Sequence, residues 1–146
     1  MEDVGIKIWG NDEWLRHISG KNEYMGFANL QEAVPIFARA KVSINLQPLQ
    51  ILDGMAERVF NATKLNSAVL CDPASGIKSS FGESLTYFDV KNFTNIKQKA
   101  VSLISNNDLR EYKIQKAKEI ILKGHTWLSR AESIRSIMVE NSLERV

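Results

Sequence analysis

The sequence predicts an α/β fold, a three-layer α/β/α arrangement with a mainly parallel sheet between helical layers. Three observations predict it. Apolar, β-branched runs at Val4 to Trp9, Lys41 to Leu46, Ser67 to Cys71 and Leu85 to Phe88 have strand character. Segments with helical periodicity stand between and after them, and that alternation implies parallel pairing through right-handed crossovers. No repeat, low-complexity tract or linker interrupts the 146 residues, so 1–146 reads as a single domain.

From the amino terminus, Val4 to Trp9 is the first strand, and Asn11 or Asp12 can accept orphan amide hydrogens to cap a helix through about Ile18, which Gly20 stops. Tyr24 to Ala28 reads as a brief second strand. The next helix runs from about Leu30 to Ala40, with Ala33, Ile36, Phe37 and Ala40 on one face and Pro35 expected near its first turn. In Lys41 to Leu46, Val42, Ile44 and Leu46 alternate with polar residues, as a strand requires. A loop from Gln47 to Gly54 leads into an amphipathic helix, Met55 to Asn66, and then into the strand Ser67 to Cys71.

The run DPASGIKSSFGES after Cys71 is rich in turn formers and is expected to be a loop covering a site. The strand Leu85 to Phe88 ends at Asp89, and three helices complete the chain at about Asn95 to Ser105, Asp108 to Lys123 and Thr126 to Leu143. Gly124 is the expected carboxyl-terminal cap of the middle helix, whose stripe is Leu109, Tyr112, Lys116, Ala117, Ile120 and Ile121. In the last helix Trp127, Ala131, Ile134 and Met138 recur at helical spacing.

Composition narrows the class. With 44% apolar and 25% charged residues the chain is ordinary soluble protein, and a net charge of +2 is too small to argue for a nucleic-acid partner. Cys71 is the only cysteine, so there is no internal disulfide and a reducing cytoplasm is the expected location. No apolar run approaches the roughly 20 residues of a membrane span, and Glu2 and Asp3 do not suit a signal peptide. The chain enters an extended apolar stretch at Val4 with no element before it, and the expectation is a piece excised from a longer protein.

Open α/β sheets bind ligands beyond the carboxyl ends of their strands, which directs attention to the loop after Leu46. The helix start at Gly54, Met55 and Ala56 offers unpaired amide hydrogens and the positive end of the helix dipole, a setting suited to a diphosphate, and Gly54 permits close backbone approach. The bland alternative is that Asp53-Gly54 is only a turn and cap. Arg58, one turn on, either faces a phosphate or pairs with Glu57 or another acid. His125 has only His17 as a second histidine and no acid at metal-ligand spacing, so no metal is expected; His125 and Thr126 are read as capping the last helix, with Trp127 packed on the domain. The chain has no Gly-x-Gly-x-x-Gly, P-loop or nucleophile elbow, and no residue is assigned to catalysis.

Several separated motifs carry a resemblance. The runs ARAKVSINL (38–46), RVFNATKLNSAVLCD (58–72), Leu85-Thr86-Tyr87-Phe88-Asp89 and HTWLSRA (125–131) are similar to the carboxyl-terminal domain of GT-B glycosyltransferases. The nearest match is the glycosyl transferases group 1 family that includes spore-maturation-type proteins. There a strand ends in Leu-Asn, Arg-x-Phe-Glu opens a helix, an Ala-Cys-Gly turn follows, a strand ends in aspartate, and His-Thr-x-x-x-Arg-Ala closes the pattern. The resemblance spans nearly all of this chain, in the same order.

The resemblance implies a Rossmann-like domain that binds a nucleotide-diphosphate sugar as donor substrate, with no further cofactor. It also implies a partner, an amino-terminal Rossmann-like domain that supplies the acceptor site and often a catalytic base. Only the donor half is present here, and it begins one strand later than the family's. Carried over by position, backbone groups of Gly26 to Asn29, with Phe27, Ala28 and Asn29 as the named candidates, meet the nucleobase, Asp53, Gly54, Met55 and Ala56 stand at the diphosphate, and Arg58 matches the family arginine. By topology Asp72 to Gly82 is expected either to close over the sugar or to be a plain connecting loop, and the same alternative stays open for the segment at Phe27; Glu83 receives no role because the local spacing is shortened.

Asn61 stands where the family has a glutamate that accepts hydrogen bonds from ribose hydroxyls; an asparagine carbonyl still accepts, but its amide donates. Asn66 replaces a glycine at the helix end, a left-handed position that asparagine tolerates. Two other readings stay open: a degenerate relative serving as a non-catalytic binding or interaction module, and an unrelated doubly wound domain of the response-regulator kind. The second predicts an acidic cluster after the first strand, where Asp12-Glu13 is the one adjacent acidic pair.

Overall fold

The structure, a computed structural model, describes residues 4–47, 50 and 53–143. Among these, β1 (Lys7–Ile8) pairs in parallel with β2 (Glu23–Tyr24). Helix α1 (Leu30–Arg39) leads to a second parallel sheet, with β3 (Val42–Asn45), β4 (Ala68–Cys71) and β5 (Thr86–Tyr87) side by side in that order. Parallel neighbours need crossovers, supplied by α2 (Glu57–Lys64) between β3 and β4 and α3 (Ser75–Phe81) between β4 and β5. Helices α4 (Phe93–Ser105), α5 (Asn107–Gly124) and α6 (Trp127–Leu143) follow. The expected α/β class holds, with its parallel strands in two short sheets.

Strand β4 explains the layering. All four of its residues are at most 3% exposed, as a parallel strand covered on both faces must be. Val69 and Cys71 point into a cluster with Val59, Ala62, Ile77, Phe81, Leu85 and Ala117, whereas Ala68 and Leu70 point into another with Phe88, Leu103 and Ile114. One face is therefore covered by α2 and α3 and the other by α4, with α5 contributing to both through Ala117 and Ile114.

Polar side chains settle the helix ends. Asn92 caps α4 and Asn106 caps α5, accepting from the amides of Asn95 at 3.2 Å and Leu109 at 2.9 Å. Arg110 is only 7% exposed and turns its guanidinium onto the Leu103 and Ile104 carbonyls at 2.9 and 3.1 Å, satisfying the carboxyl end of α4. Asn66 adopts φ of +66°, the left-handed geometry expected of it, and its side chain accepts from Lys118.

Several expectations are corrected. The helix through Ile18 is a short 3-10 turn, Asp12–Arg16, with no side-chain cap from Asn11. The first two strands contract to two residues each. Pro35 sits in the second turn of α1, and the helix after β3 starts at Glu57, with Ala56 outside it as the amino-terminal cap. Residues 72–84 are not an open loop: Pro73 precedes α3, whose Ile77 and Phe81 are spaced one turn apart and are at most 1% exposed. Gly124 is the last residue of α5, and His125 follows as its cap. The buried stripe of α5 is Arg110, Ile114 and Ala117, while Tyr112 is 60% exposed. Trp127 does not pack on the domain; it is 86% exposed, with the Arg130 guanidinium 5.8 Å from its ring.

Leu70, which is fully buried, is expected to lose about 3 kcal/mol of stability as Leu70→Ala. Leu128→Ala, at a position 71% exposed, is expected to change stability by no more than about 0.5 kcal/mol. Urea titrations of the two variants test the contrast.

Candidate functional site

The register of the second sheet lines up three strand ends: Asn45 stands opposite Cys71, and Cys71 opposite Tyr87. The segments leaving β3 and β4 are tied together just beyond this row. The backbone amide of Gln47 donates to both carboxylate oxygens of Asp72, each at 3.2 Å. The Gln47 side-chain amide donates to the Gly54 carbonyl at 2.8 Å, joining the start of the loop after β3 to its end. Pro48, Leu49, Ile51 and Leu52 of that loop lie outside the described residues.

The end of the loop rests on α3. Asp53 accepts a hydrogen bond from the Ser75 hydroxyl, in the first turn of that helix. Gly76 is required by the same contact, since a Cβ there would stand 1.9 Å from the Asp53 carbonyl oxygen and 3.2 Å from that of Gly54. Asp53-Gly54 is therefore more than a turn: it is wedged against the crossover helix of the next strand.

From Gly54 the chain enters α2 through Met55, which packs on the core, and Ala56, which is 8% exposed. No side chain caps this helix, and the Val59 amide closes onto the Ala56 carbonyl at 3.0 Å. Arg58 reaches back to donate to the Leu46 carbonyl at 3.3 Å. Asn61 donates through its side-chain amide to Glu57 at 3.2 Å, one turn earlier, which leaves its carbonyl oxygen as an acceptor. The structure thus assembles Asp53, Gly54, Met55, Ala56, Arg58 and Asn61 into one loop and helix start at the carboxyl edge.

Phe27, Ala28 and Asn29 belong to a different local structure. Asn29 caps α1, accepting from the Gln31 and Glu32 amides at 2.9 and 3.0 Å, while Glu32 accepts from the Asn29 amide at 2.8 Å. Phe27 is 77% exposed and Ala28 half-buried. Among the described residues, no hydrogen bond joins these three to the Asp53–Asn61 group.

Sequence reasoning missed the row of polar groups behind the loop. Asn45 is 3% exposed and neither polar atom of its side chain has a partner; the Tyr87 hydroxyl and the Gln47 side-chain oxygen are unpartnered too. Cys71 lies between Asn45 and Tyr87, where burial, reinforced by the Asp72 charge, pushes its thiol up to about 12. Burial, and secondarily Cys71, raises the Tyr87 phenol as well. The available signal was position: Asn45 and Tyr87 are polar residues at strand carboxyl ends. Gln47, Asp72, Ser75 and Gly76 gave none, because their role depends on how two loops meet.

His125 is structural. Its ring stacks on Phe81 at 5.9 Å between centroids and 13° between planes, and Thr126, not His125, caps α6 by accepting from the Ser129 amide at 3.1 Å. Among the described residues, no three His, Cys, Asp or Glu side chains are grouped to hold a metal ion. Nor is any helix among them long and apolar enough to cross a membrane.

A family model described as glycosyl transferase-like matches residues 1–136. The chain belongs to that family. The match takes in both sheets and the entire loop and helix start described above, so this glycosyl transferase-like chain carries a domain related to glycosyl transfer. No curated protein matches it.

Gly76→Ala is expected to push the Asp53-Gly54 segment off α3 and to cost about 1–3 kcal/mol, seen as a lower urea midpoint and as shifted Gly54 and Ser75 amide resonances. The raised thiol of Cys71 has a signed consequence. Its folded value lies above the ordinary 9.0, so the stability it contributes is intact below pH 9 and is lost as pH rises towards 12. Denaturation curves should show this alkaline loss, at up to about 1.4 kcal/mol per pH unit from this group, and Cys71→Ala should flatten it.

Proposed function

We propose that this chain is the donor nucleotide-sugar-binding domain of a GT-B glycosyltransferase, of the spore-maturation type, working in the cytoplasm. Joined to an amino-terminal Rossmann-like domain, it transfers a sugar from a nucleotide-diphosphate sugar to an acceptor. The observation that carries this reading is the uncapped start of α2, held at the carboxyl edge of a parallel sheet by the Gln47, Asp72 and Ser75 contacts. Backbone amide hydrogens and the helix dipole there favour a diphosphate, and Gly54 lets it approach.

Each side chain then has a task. Arg58 supplies a permanent positive charge beside the phosphates, tethered through the Leu46 carbonyl. Asn61 offers its carbonyl oxygen to a ribose hydroxyl, and Glu57, bonded to the Asn61 amide, brings a carboxylate to the same stretch of helix. Phe27 presents an exposed ring on which a nucleobase can stack, next to Ala28, while Asn29 sets the segment by capping α1. Asp53 acts as a brace through Ser75. Catalysis needs the second domain to complete the cleft, so the chain by itself is expected to bind donor without turning it over.

A non-catalytic binding or interaction module is the second reading, favoured by Asn61, whose amide is committed to Glu57 where a carboxylate would accept from both ribose hydroxyls.

Titration with UDP, GDP and their sugar conjugates, followed by amide resonances, separates the two. Donor binding predicts saturable shifts from Gly54 to Asn61, weakened about tenfold by Arg58→Ala and strengthened a few-fold by Asn61→Glu. Unmoved resonances at millimolar ligand would sink the donor reading and leave the interaction module.

A further inference from the structure

We propose that Lys99 and Lys113 close the outer edge of β5, taking up its outward backbone carbonyls so that a second copy of the chain cannot add a strand there. The inference stands whether or not a nucleotide binds.

The edge itself follows from the register. β5 is the last strand of the trio and has β4 on one side, with no strand on the other among the described residues. The Phe88 amide donates to the Cys71 carbonyl at 3.0 Å, and the backbone groups of alternate residues face the same neighbour, so Thr86 and Phe88 turn theirs towards β4. Leu85 and Tyr87 therefore turn theirs outward. An edge of this kind is a template for a further strand, and a twofold pairing of β5 with its own copy is the simplest way to fill it.

Two helices reach that edge with one lysine each. Lys113 of α5 donates to the Leu85 carbonyl at 3.0 Å and to the Glu83 carbonyl at 2.6 Å, and Lys99 of α4 donates to the Tyr87 carbonyl. The outward carbonyls of Leu85 and Tyr87 thus each hold an ammonium group where an incoming strand would place an amide. Alternate carbonyls of one edge are met from two separate elements.

The electrostatics argue against two surface side chains settling there by chance. Burial lowers the pKa of Lys113, the Glu83 carboxylate works against that shift, and the Lys99 charge adds to it. Two like charges are held close together, one of them partly out of water, at a cost that solvated lysines on either helix would avoid. Hydrogen bonds from the charged donors to the carbonyls offset that cost. A second β5 edge would bring two more ammonium groups to the same place, so the pair repels its own copy as well as occupying the acceptors.

The test compares the unaltered chain with Lys99→Met/Lys113→Met, in which the unbranched apolar stems remain and the charged donors are removed. Amide hydrogen exchange is followed at about 10 and about 500 µM protein, with sedimentation velocity alongside. In the double variant a dimer should appear at the higher concentration, and the Leu85 and Tyr87 amides, which share the outward edge, should exchange at least about tenfold more slowly there than at the lower one. In the unaltered chain the same two amides should be indifferent to concentration. A folded double variant in which they are equally indifferent would overturn the proposal, as would association that protects other amides and leaves these two unchanged. Concentration-dependent protection of both in the unaltered chain would overturn it as well, because the edge would then be open with the lysines in place. Should the double variant fail to fold, Lys99→Met alone decides, since it releases the Tyr87 carbonyl and leaves both bonds of Lys113: protection of the Tyr87 amide with rising concentration supports the closed edge, and its absence refutes it.

Discussion

Burial of β4 on both faces is the constraint on which the rest of this structure depends. A four-residue strand with no more than 3% exposure at any position must be apolar throughout, bonded along both edges and roofed above and below. Ala68-Val69-Leu70-Cys71 meets all of these demands: β3 and β5 occupy its edges, α2 and α3 one face, α4 the other, and α5 contributes to both. Its carboxyl end is also where chemistry can begin. The first residue after it, Asp72, is polar and takes the backbone of Gln47 in both carboxylate oxygens, so the most buried strand places the brace of the candidate site.

Because the brace is built from two crossovers, its stiffness comes from packing as much as from hydrogen bonds. Gly76 lets the Asp53 carbonyl approach more closely than any side chain would allow, and Ser75 holds the carboxylate of the same residue. Together they commit Asp53 to α3 and leave the start of α2 as the part of the loop with open hydrogen-bonding capacity. A buried thiol beneath this edge suits the same design: Cys71, held neutral by burial, adds no charge next to Asp72.

The fold was legible wherever the signal was local. The alternation in Val42 to Leu46, the apolar run ending at Cys71 and the left-handed tolerance of Asn66 each depend on neighbouring residues, and each was recovered. Residues 72–84 were misread because Pro73, Ser75 and Gly76 are turn formers by composition, while the Ile77–Phe81 spacing that makes α3 spans a single turn. Trp127 was misread for the opposite reason: helical spacing of large apolar residues ordinarily marks a buried face, and here Trp127, Ile134 and Met138 are 86%, 60% and 65% exposed. The place of Gly54, Ala56 and Arg58 after β3 was legible from their order in the chain, but no pattern in the sequence shows that Gln47 meets both Asp72 and Gly54, since those contacts exist only once two loops converge.

The distribution of burial turns these separate points into one. The buried residues lie from Asn45 onward, around the trio of strands, while α1 reaches that core through the partly buried Phe37. Yet α1 is well made: Asn29 and Glu32 form a reciprocal cap, and its apolar residues share a face. Helix α1 is thus terminated by its own sequence while remaining little buried. The same holds for β1 and β2, whose register is set although neither strand is buried. Local sequence and global burial agree in the carboxyl-terminal part of the chain and disagree in the amino-terminal part, where well-terminated elements contribute little to the core.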